Sequence, residues 1–186
     1  MKRHFEGCRS VINIGCGQGQ LLNALGKNGA RRLVGIENSA AGVTASRRNL
    51  FESGLTGPIV KGTFPYLDIK ERFDLVTSAF VLQHVREKAS HDAEDKEKSL
   101  FVEGAIQLTR KRLILALITS LWSDGRQVEL PFERSLDVFI RERGLEVTMF
   151  DIERRSVTHY GRHAGKFIKY GRIVAERNDL RAEMRR

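Results

Sequence analysis

The stretch that decides the fold is Val11-Ile12-Asn13-Ile14-Gly15-Cys16-Gly17-Gln18-Gly19-Gln20-Leu21-Leu22. A short apolar run ends in three glycines at alternate positions. Apolar residues then resume at helical spacing, as Leu21, Leu22 and Leu25. The first part reads as a buried strand and the last as a helix, closed by Asn28-Gly29. A glycine-rich turn between the two brings bare backbone and unpaired N–H groups to one point. In open α/β sheets that point lies beyond the carboxyl ends of the strands, where ligands bind.

The alternation continues outward. Leu33–Ile36 predicts a second strand, and Asn38 or Ser39 caps the next helix. That helix carries Val43, Leu50 and Phe51 on its inner face, with Gly54 just past its end. Gly57-Pro58 is a break, Ile59-Val60 a third strand and Phe73–Thr77 a fourth. Residues 86–98 carry charges of both signs and predict an exposed loop running into a helix over roughly Lys98–Thr109. Leu113–Ile118 is the fifth strand. Phe132, Leu136, Phe139 and Ile140 form a helical core-facing stripe stopped by Gly144. Leu145–Ile152 and Phe167–Ala175 are two more strands. No helical pattern separates them, so a long hairpin joins them and the last runs antiparallel. The expected architecture is α/β: a doubly wound, mostly parallel seven-stranded sheet with an antiparallel C-terminal strand. It forms a single domain over residues 1–186, with a short lead (1–9) and a frayed tail (176–186).

The chain has 186 residues, a formal net charge of +9 and a pI near 9.9. That balance suits an anionic partner such as RNA, DNA or an acidic small molecule, and equally suits a merely basic solvated surface. The two cysteines, Cys8 and Cys16, are too few for a disulfide framework, so a reducing, cytoplasmic setting is expected. No Cys/His spacing suggests zinc, and no metal is expected. The N-terminus has no apolar signal core, and no apolar run approaches the ~20 residues that span a membrane. Nothing in the sequence bears on oligomeric state.

The glycine turn has the form Gly-x-Gly-x-Gly, with Gln20 where a dinucleotide fingerprint wants another glycine. That argues against NAD and FAD, whose pyrophosphate needs an uncovered helix end. Glu37 ends the second strand, and a carboxylate there can accept hydrogen bonds from both hydroxyls of a ribose. The alternative is a helix-capping acid beside Ser39.

Three segments in order, Val11–Leu22, Leu33-Val-Gly-Ile-Glu-Asn-Ser39 and Phe73-Asp-Leu-Val-Thr-Ser-Ala-Phe-Val-Leu-Gln-His-Val85, resemble the class I S-adenosylmethionine-dependent methyltransferases. The resemblance covers about residues 9–120 by motif and the rest by strand pattern. It implies a seven-stranded sheet whose last strand is inserted antiparallel between the fifth and sixth. It also implies S-adenosylmethionine as cofactor and S-adenosylhomocysteine as product. Asn13, Gly15, Cys16, Gly17 and Gly19 would then belong to the cofactor site, the glycines lining its methionine part. Glu37 would bind the ribose, Asn38 would lie beside the adenine, and Gly62, Thr63 and Phe64 would face the adenine ring. Ser78, Ala79 and Phe80 would border cofactor and acceptor. Asn13 stands where the family usually has an acid and Thr63 where it often has Asp. Only about ten residues precede the first strand, where members usually carry helices.

For the acceptor, His84 is the best-placed titratable group and the candidate catalytic base, with packing or a helix start as its other reading. Candidate acceptor contacts are Phe80, Gln83, His84, Tyr160 and Lys166. The last two belong to a basic segment, Glu153–Arg177, in which seven Arg or Lys are interleaved with Tyr160, Phe167 and Tyr170. That mixture suits single-stranded RNA or a phosphorylated ligand, or is a solvated hairpin. The family's Asn-Pro-Pro-Tyr sequence for amino-group methylation is absent; Thr77-Ser-Ala-Phe80 stands there. The expected activity is methyl transfer to a small-molecule acceptor. The alternatives are an RNA methyltransferase and a non-catalytic binding subunit, the latter motivated by Asn13, Thr63 and the short N-terminal lead.

Overall fold

The computed structural model describes residues 5–85, 91–123, 126–129, 135–156 and 167–177. Among the described residues there are eight strands: β1 (Ser10–Ile14), β2 (Arg32–Glu37), β3 (Ile59–Lys61), β4 (Phe73–Ala79), β5 (Thr109–Ser123), β6 (Arg126–Glu129), β7 (Leu145–Ser156) and β8 (Phe167–Arg177). The helices are α1 (Gln20–Lys27), α2 (Ala40–Glu52), α3 (His91–Leu108) and α4 (Leu136–Glu142), with a 3-10 turn at Leu82–His84. The strands lie in the order β3-β2-β1-β4-β5-β8-β7, and β6 pairs with the far end of β5. Strands β1 to β5 pair in parallel along this path, whereas β8 runs antiparallel to both β5 and β7. The expected seven strands are all found, and β8 is indeed the inserted antiparallel one.

Both faces of the sheet are covered, which is why its central strands read as unbroken apolar runs. Alternation sends Val11 and Leu75 to the face where α1 and α2 pack through Leu22, Leu25, Val43 and Leu50. Ile12, Ile14 and Val76 go to the other face, against Phe101, Val102 and Ala105 of α3 and Leu136 and Ile140 of α4. Full burial of each such side chain contributes about 1.5–3 kcal/mol.

Register levels the carboxyl ends of the strands. Ile14 pairs with Ile36 on one side and with Ser78 on the other, and Glu37 pairs with Lys61. The turns after β1, β2, β3 and β4 therefore open at one height.

Several boundaries differ from expectation. Strand β5 is 15 residues long rather than six: near its start Arg112 pairs with Glu176 of β8 at 2.7 Å, and its far end, from Ser120 to Ser123, pairs with β6. Strand β6 was not expected at all. Helix α3 begins at His91, so most of the charge run is helical. Ser39 rather than Asn38 caps α2, its hydroxyl accepting from the Gly42 N–H at 3.0 Å. Phe51 points outward and is 80% exposed. Phe139 is only half-buried, with the Arg143 guanidinium stacked 3.4 Å from its ring centre. Glu176 and Arg177 belong to β8, not to a tail. Arg177 donates to the carbonyls of Ile106 and Thr109 and so closes the end of α3. Phe132 and residues 178–186 lie outside the described residues.

The N-terminal lead is tied down by Asp74 at the start of β4. Its Oδ2 accepts from the N–H groups of Arg9 (2.9 Å) and Ser10 (3.2 Å), and its own N–H donates to the Ser10 hydroxyl. Arg110 and Lys111 stand 3.5 and 3.8 Å from Oδ1. Burial pushes this carboxyl up. The two N–H donors and the two cations outweigh it and hold the group below the usual carboxylate range.

Candidate active site

The turns at the carboxyl edge enclose a cavity of about 430 Å³. Its wall includes Gly15 after β1, Glu37 and Asn38 at the end of β2, Gly62, Thr63 and Phe64 after β3, and Ala79, Phe80 and His84 after β4. These nine are all among the residues singled out from the sequence.

The glycine turn is shaped by two constraints. The N–H groups of Gly15 and Cys16 both donate to the Ile36 carbonyl, at 2.8 and 2.9 Å, which binds the turn to β2. At Gly15, φ is +70° and a Cβ would stand 2.2 Å from Val81 Cγ2. Only glycine meets both demands. Gly17, at φ +53°, has open space where a Cβ would be. Its N–H donates to Glu37 Oε2 at 2.9 Å, while the Ser39 N–H donates to Oε1, also at 2.9 Å. One backbone donor thus fixes each carboxylate oxygen. Close beneath, a Cβ on Gly42 would come within 2.7 Å of Glu37 Cγ, so a small residue at 42 leaves room for this pose.

The remaining sequence candidates sit behind the wall. Asn13 is buried within the sheet, where its Oδ1 accepts from the Thr77 hydroxyl at 3.2 Å. Cys16 packs toward α1 and α2, its thiol 3.7 Å from the Ser46 hydroxyl, and burial pushes that thiol up. Gly19 caps α1 at φ +78°, and a Cβ there would meet Ser46 Oγ at 2.4 Å. Ser78 spends its hydroxyl on the Ile14 carbonyl at 3.1 Å. Asn13, Cys16, Gly19 and Ser78 therefore support the turn from behind, and Gly17 orients Glu37. The side chain of Gln83, and Tyr160 and Lys166 entirely, lie outside the described residues.

The rest of the wall includes Phe80, Val81, His84 and Val85 from the segment after β4, and three residues that no motif marks: Tyr66, Glu97 and Phe101. Phe80 is 45% exposed and holds φ +58°, rare for a bulky side chain. Its N–H donates to the Ala116 carbonyl of β5 at 2.7 Å, which anchors the strained residue. Phe64 meets Phe101 edge-on, with ring centres 5.2 Å apart, and joins the loop after β3 to α3. Tyr66 donates its phenol hydrogen to Glu97 Oε2 across the same seam.

Residues 11–96 match a family described as methyltransferase domain. The match spans the glycine turn, Glu37 and the turn after β4, on a sheet in which β8 is inserted antiparallel. The match takes in a little under half of the chain, and the sheet has the class I methyltransferase fold. The chain's curated relatives include a ubiquinone biosynthesis O-methyltransferase of Stutzerimonas stutzeri, 37% identical over 84 residues, or 44% of this chain and 36% of that protein. Among solved structures, magnesium protoporphyrin IX methyltransferase from Synechocystis PCC 6803, with bound S-adenosylhomocysteine, superimposes with a TM-score of 0.68 at 18% identity. It covers 91% of this chain and 74% of that one. A putative RNA methyltransferase from Pyrococcus horikoshii gives 0.66 at 18% identity, over 93% and 76%. These structural likenesses show the fold alone. The chain matches between 25% and 44% of the length of these curated relatives. No helix among the described residues is long and apolar enough to cross a membrane, and no cluster of metal-binding side chains occurs among them.

Proposed function

We propose that this domain transfers a methyl group from S-adenosylmethionine to a small-molecule acceptor. The observation that carries the reading is Glu37, a carboxylate held by the N–H groups of Gly17 and Ser39 at the edge of a 430 Å³ cavity. Each of its oxygens accepts one backbone hydrogen bond and keeps a lone pair for a ribose hydroxyl. The cavity volume falls within the range of small-molecule sites. The residues present therefore fit the cofactor. Glu37 would hold the ribose, Asn38, Gly62, Thr63 and Phe64 would border the base, and Gly15 would border the methionine part. When bound, the cofactor supplies a methyl group already activated by its sulfonium charge.

The chain's own contribution is position and dryness. Phe80, Val81, Val85 and Phe101 give the acceptor side an apolar wall that keeps water from the reacting centre. His84, exposed at the rim, is placed to take a proton from an acceptor that must lose one. The O-methyltransferase relatives support a small acceptor. The RNA alternative rested on the basic segment containing Tyr160 and Lys166, which lie outside the described residues.

Titration calorimetry of the purified chain with S-adenosylmethionine and S-adenosylhomocysteine tests the reading. Saturable one-to-one heats are expected for both. Absence of heat from either would sink it and leave the non-catalytic alternative. Methyl transfer to RNA with steep loss of binding in added salt would replace the small-molecule acceptor by RNA.

A further inference from the structure

Glu97 lies on α3 and Tyr66 on the loop after β3. Both belong to the wall of the cavity that Phe80 and His84 also line. The phenol of Tyr66 donates to Glu97 Oε2, which occupies one oxygen and fixes the plane of the carboxylate. The other oxygen is left with its acceptor capacity. The same cavity is lined by Phe64, Phe80 and Phe101. A carboxylate among aromatic rings is the chemistry that receives an ammonium or an amine N–H, through a charge-assisted hydrogen bond and cation–π attraction.

The opposite choice, an anionic acceptor, meets the wrong charge. The wall holds two carboxylates, Glu37 and Glu97, and among the described residues lining it there is no Lys or Arg. Lys98, next in sequence, is buried on α3 and is not part of the wall. A second anion beside Glu97 would suffer like-charge repulsion in a partly desolvated site. The cavity thus departs from the bulk of the molecule, whose net charge of +9 suggested an anionic partner.

We propose that Glu97, oriented by Tyr66, is the acceptor-recognising carboxylate of this cavity. The acceptor class it takes is an amine-bearing aromatic molecule, cationic or neutral, and not a carboxylate or phosphate. This rests on the methyltransferase reading for the rest of the cavity, but its binding test does not need turnover. Two probes share a phenol ring and differ in charge: tyramine and 4-hydroxyphenylacetate. Calorimetry with each is run with and without saturating S-adenosylhomocysteine.

Tyramine is expected to bind about tenfold or more tighter than the acid, the size of one charged hydrogen bond. Glu97→Gln is expected to abolish that ratio while leaving S-adenosylhomocysteine affinity within about threefold of wild type. Tyr66→Phe is expected to weaken tyramine by about threefold, through lost orientation alone. Equal binding of the two probes, a ratio that survives Glu97→Gln, or no binding of either probe while S-adenosylhomocysteine binds would each overturn the proposal. Glu97-dependent tyramine binding in a chain that ignores S-adenosylhomocysteine would support it while overturning the cofactor reading, so the two failures are separable.

Discussion

Glu37 Oε2 stands 2.9 Å from the amide nitrogen of Gly17, and Oε1 the same distance from that of Ser39. The end of β2, the glycine turn and the start of α2 are thereby locked together through one carboxylate. Glu37→Gln keeps the shape but offers one acceptor oxygen to two donors. The unmatched donor and the lost charge correspond to about 1.5–3 kcal/mol. A fall of about ten- to a hundredfold in S-adenosylhomocysteine affinity is expected by calorimetry. An affinity within about twofold of wild type would refute the role given to this carboxylate.

Gly42→Ala probes the same carboxylate from below. An exposed Gly→Ala in a helix normally stabilises by about 0.5–1 kcal/mol. Here the new methyl meets Glu37 Cγ at 2.7 Å and the capping Ser39 hydroxyl at 2.8 Å, so both must shift. Cofactor affinity is expected to drop about five- to tenfold, and the usual gain in thermal stability is expected to be missing. Unchanged affinity would mean that the pose of Glu37 does not matter.

Gly15→Ala adds both a strained φ and a clash 2.2 Å from Val81 Cγ2. Each costs about 1–3 kcal/mol. Urea unfolding should show a destabilisation of about 2–5 kcal/mol. Adding Val81→Ala should return the clash part and leave the backbone part. A second substitution that recovers nothing would show that contact with Val81 is not the cause.

Asp74 gives the pH dependence of stability. Its folded pKa is depressed below the unfolded value of about 3.9. The stabilisation is therefore fully present above about pH 5 and lost as pH falls through the folded value. Asp74→Asn should cost about 1–3 kcal/mol at pH 7 and flatten the acid limb of a stability–pH curve. An acid limb as steep as that of wild type would assign the effect to other carboxylates.

Arg177→Ala removes two guanidinium hydrogen bonds to the carbonyls of Ile106 and Thr109, at 3.0 and 2.8 Å. A loss of about 1–2 kcal/mol in urea unfolding is expected. Neutral behaviour would show that solvent replaces the cap.

The sheet was legible because its central strands are buried on both faces and read as short unbroken apolar runs between glycine breaks. Its seventh strand was legible because no helical pattern intervenes between Ile152 and Phe167. What escaped did so for local reasons. The polar start of β5, Thr109-Arg-Lys-Arg112, hid a strand end whose partners, among them Asp74, Glu176 and Arg177, lie far along the chain. Asp124-Gly125, in the sequence between β5 and β6, is a dipeptide that favours hairpin turns. Mixed charges disguised the first turns of α3 as a loop. In the site, motif spacing marked the turns that open on the cavity. It could not separate wall residues such as Gly15 and Asn38 from those behind the wall, Asn13, Cys16, Gly19 and Ser78, because that depends on which way each side chain leaves the strand end. Tyr66 and Glu97 belong to no motif. They are 31 residues apart and meet only once α3 has packed on the loop after β3.

The placement of β8 between β5 and β7 has a consequence for how the chain is made. A ribosome delivers β7 before β8, yet β7 has no neighbour in the sheet until β8 arrives. Until Phe167–Arg177 has emerged, the growing polypeptide exposes the free edge of β5 and an orphaned β7, surfaces that invite association with other chains. Among the described residues, β8 is thus the strand whose arrival both covers the edge of β5 and gives β7 its partner.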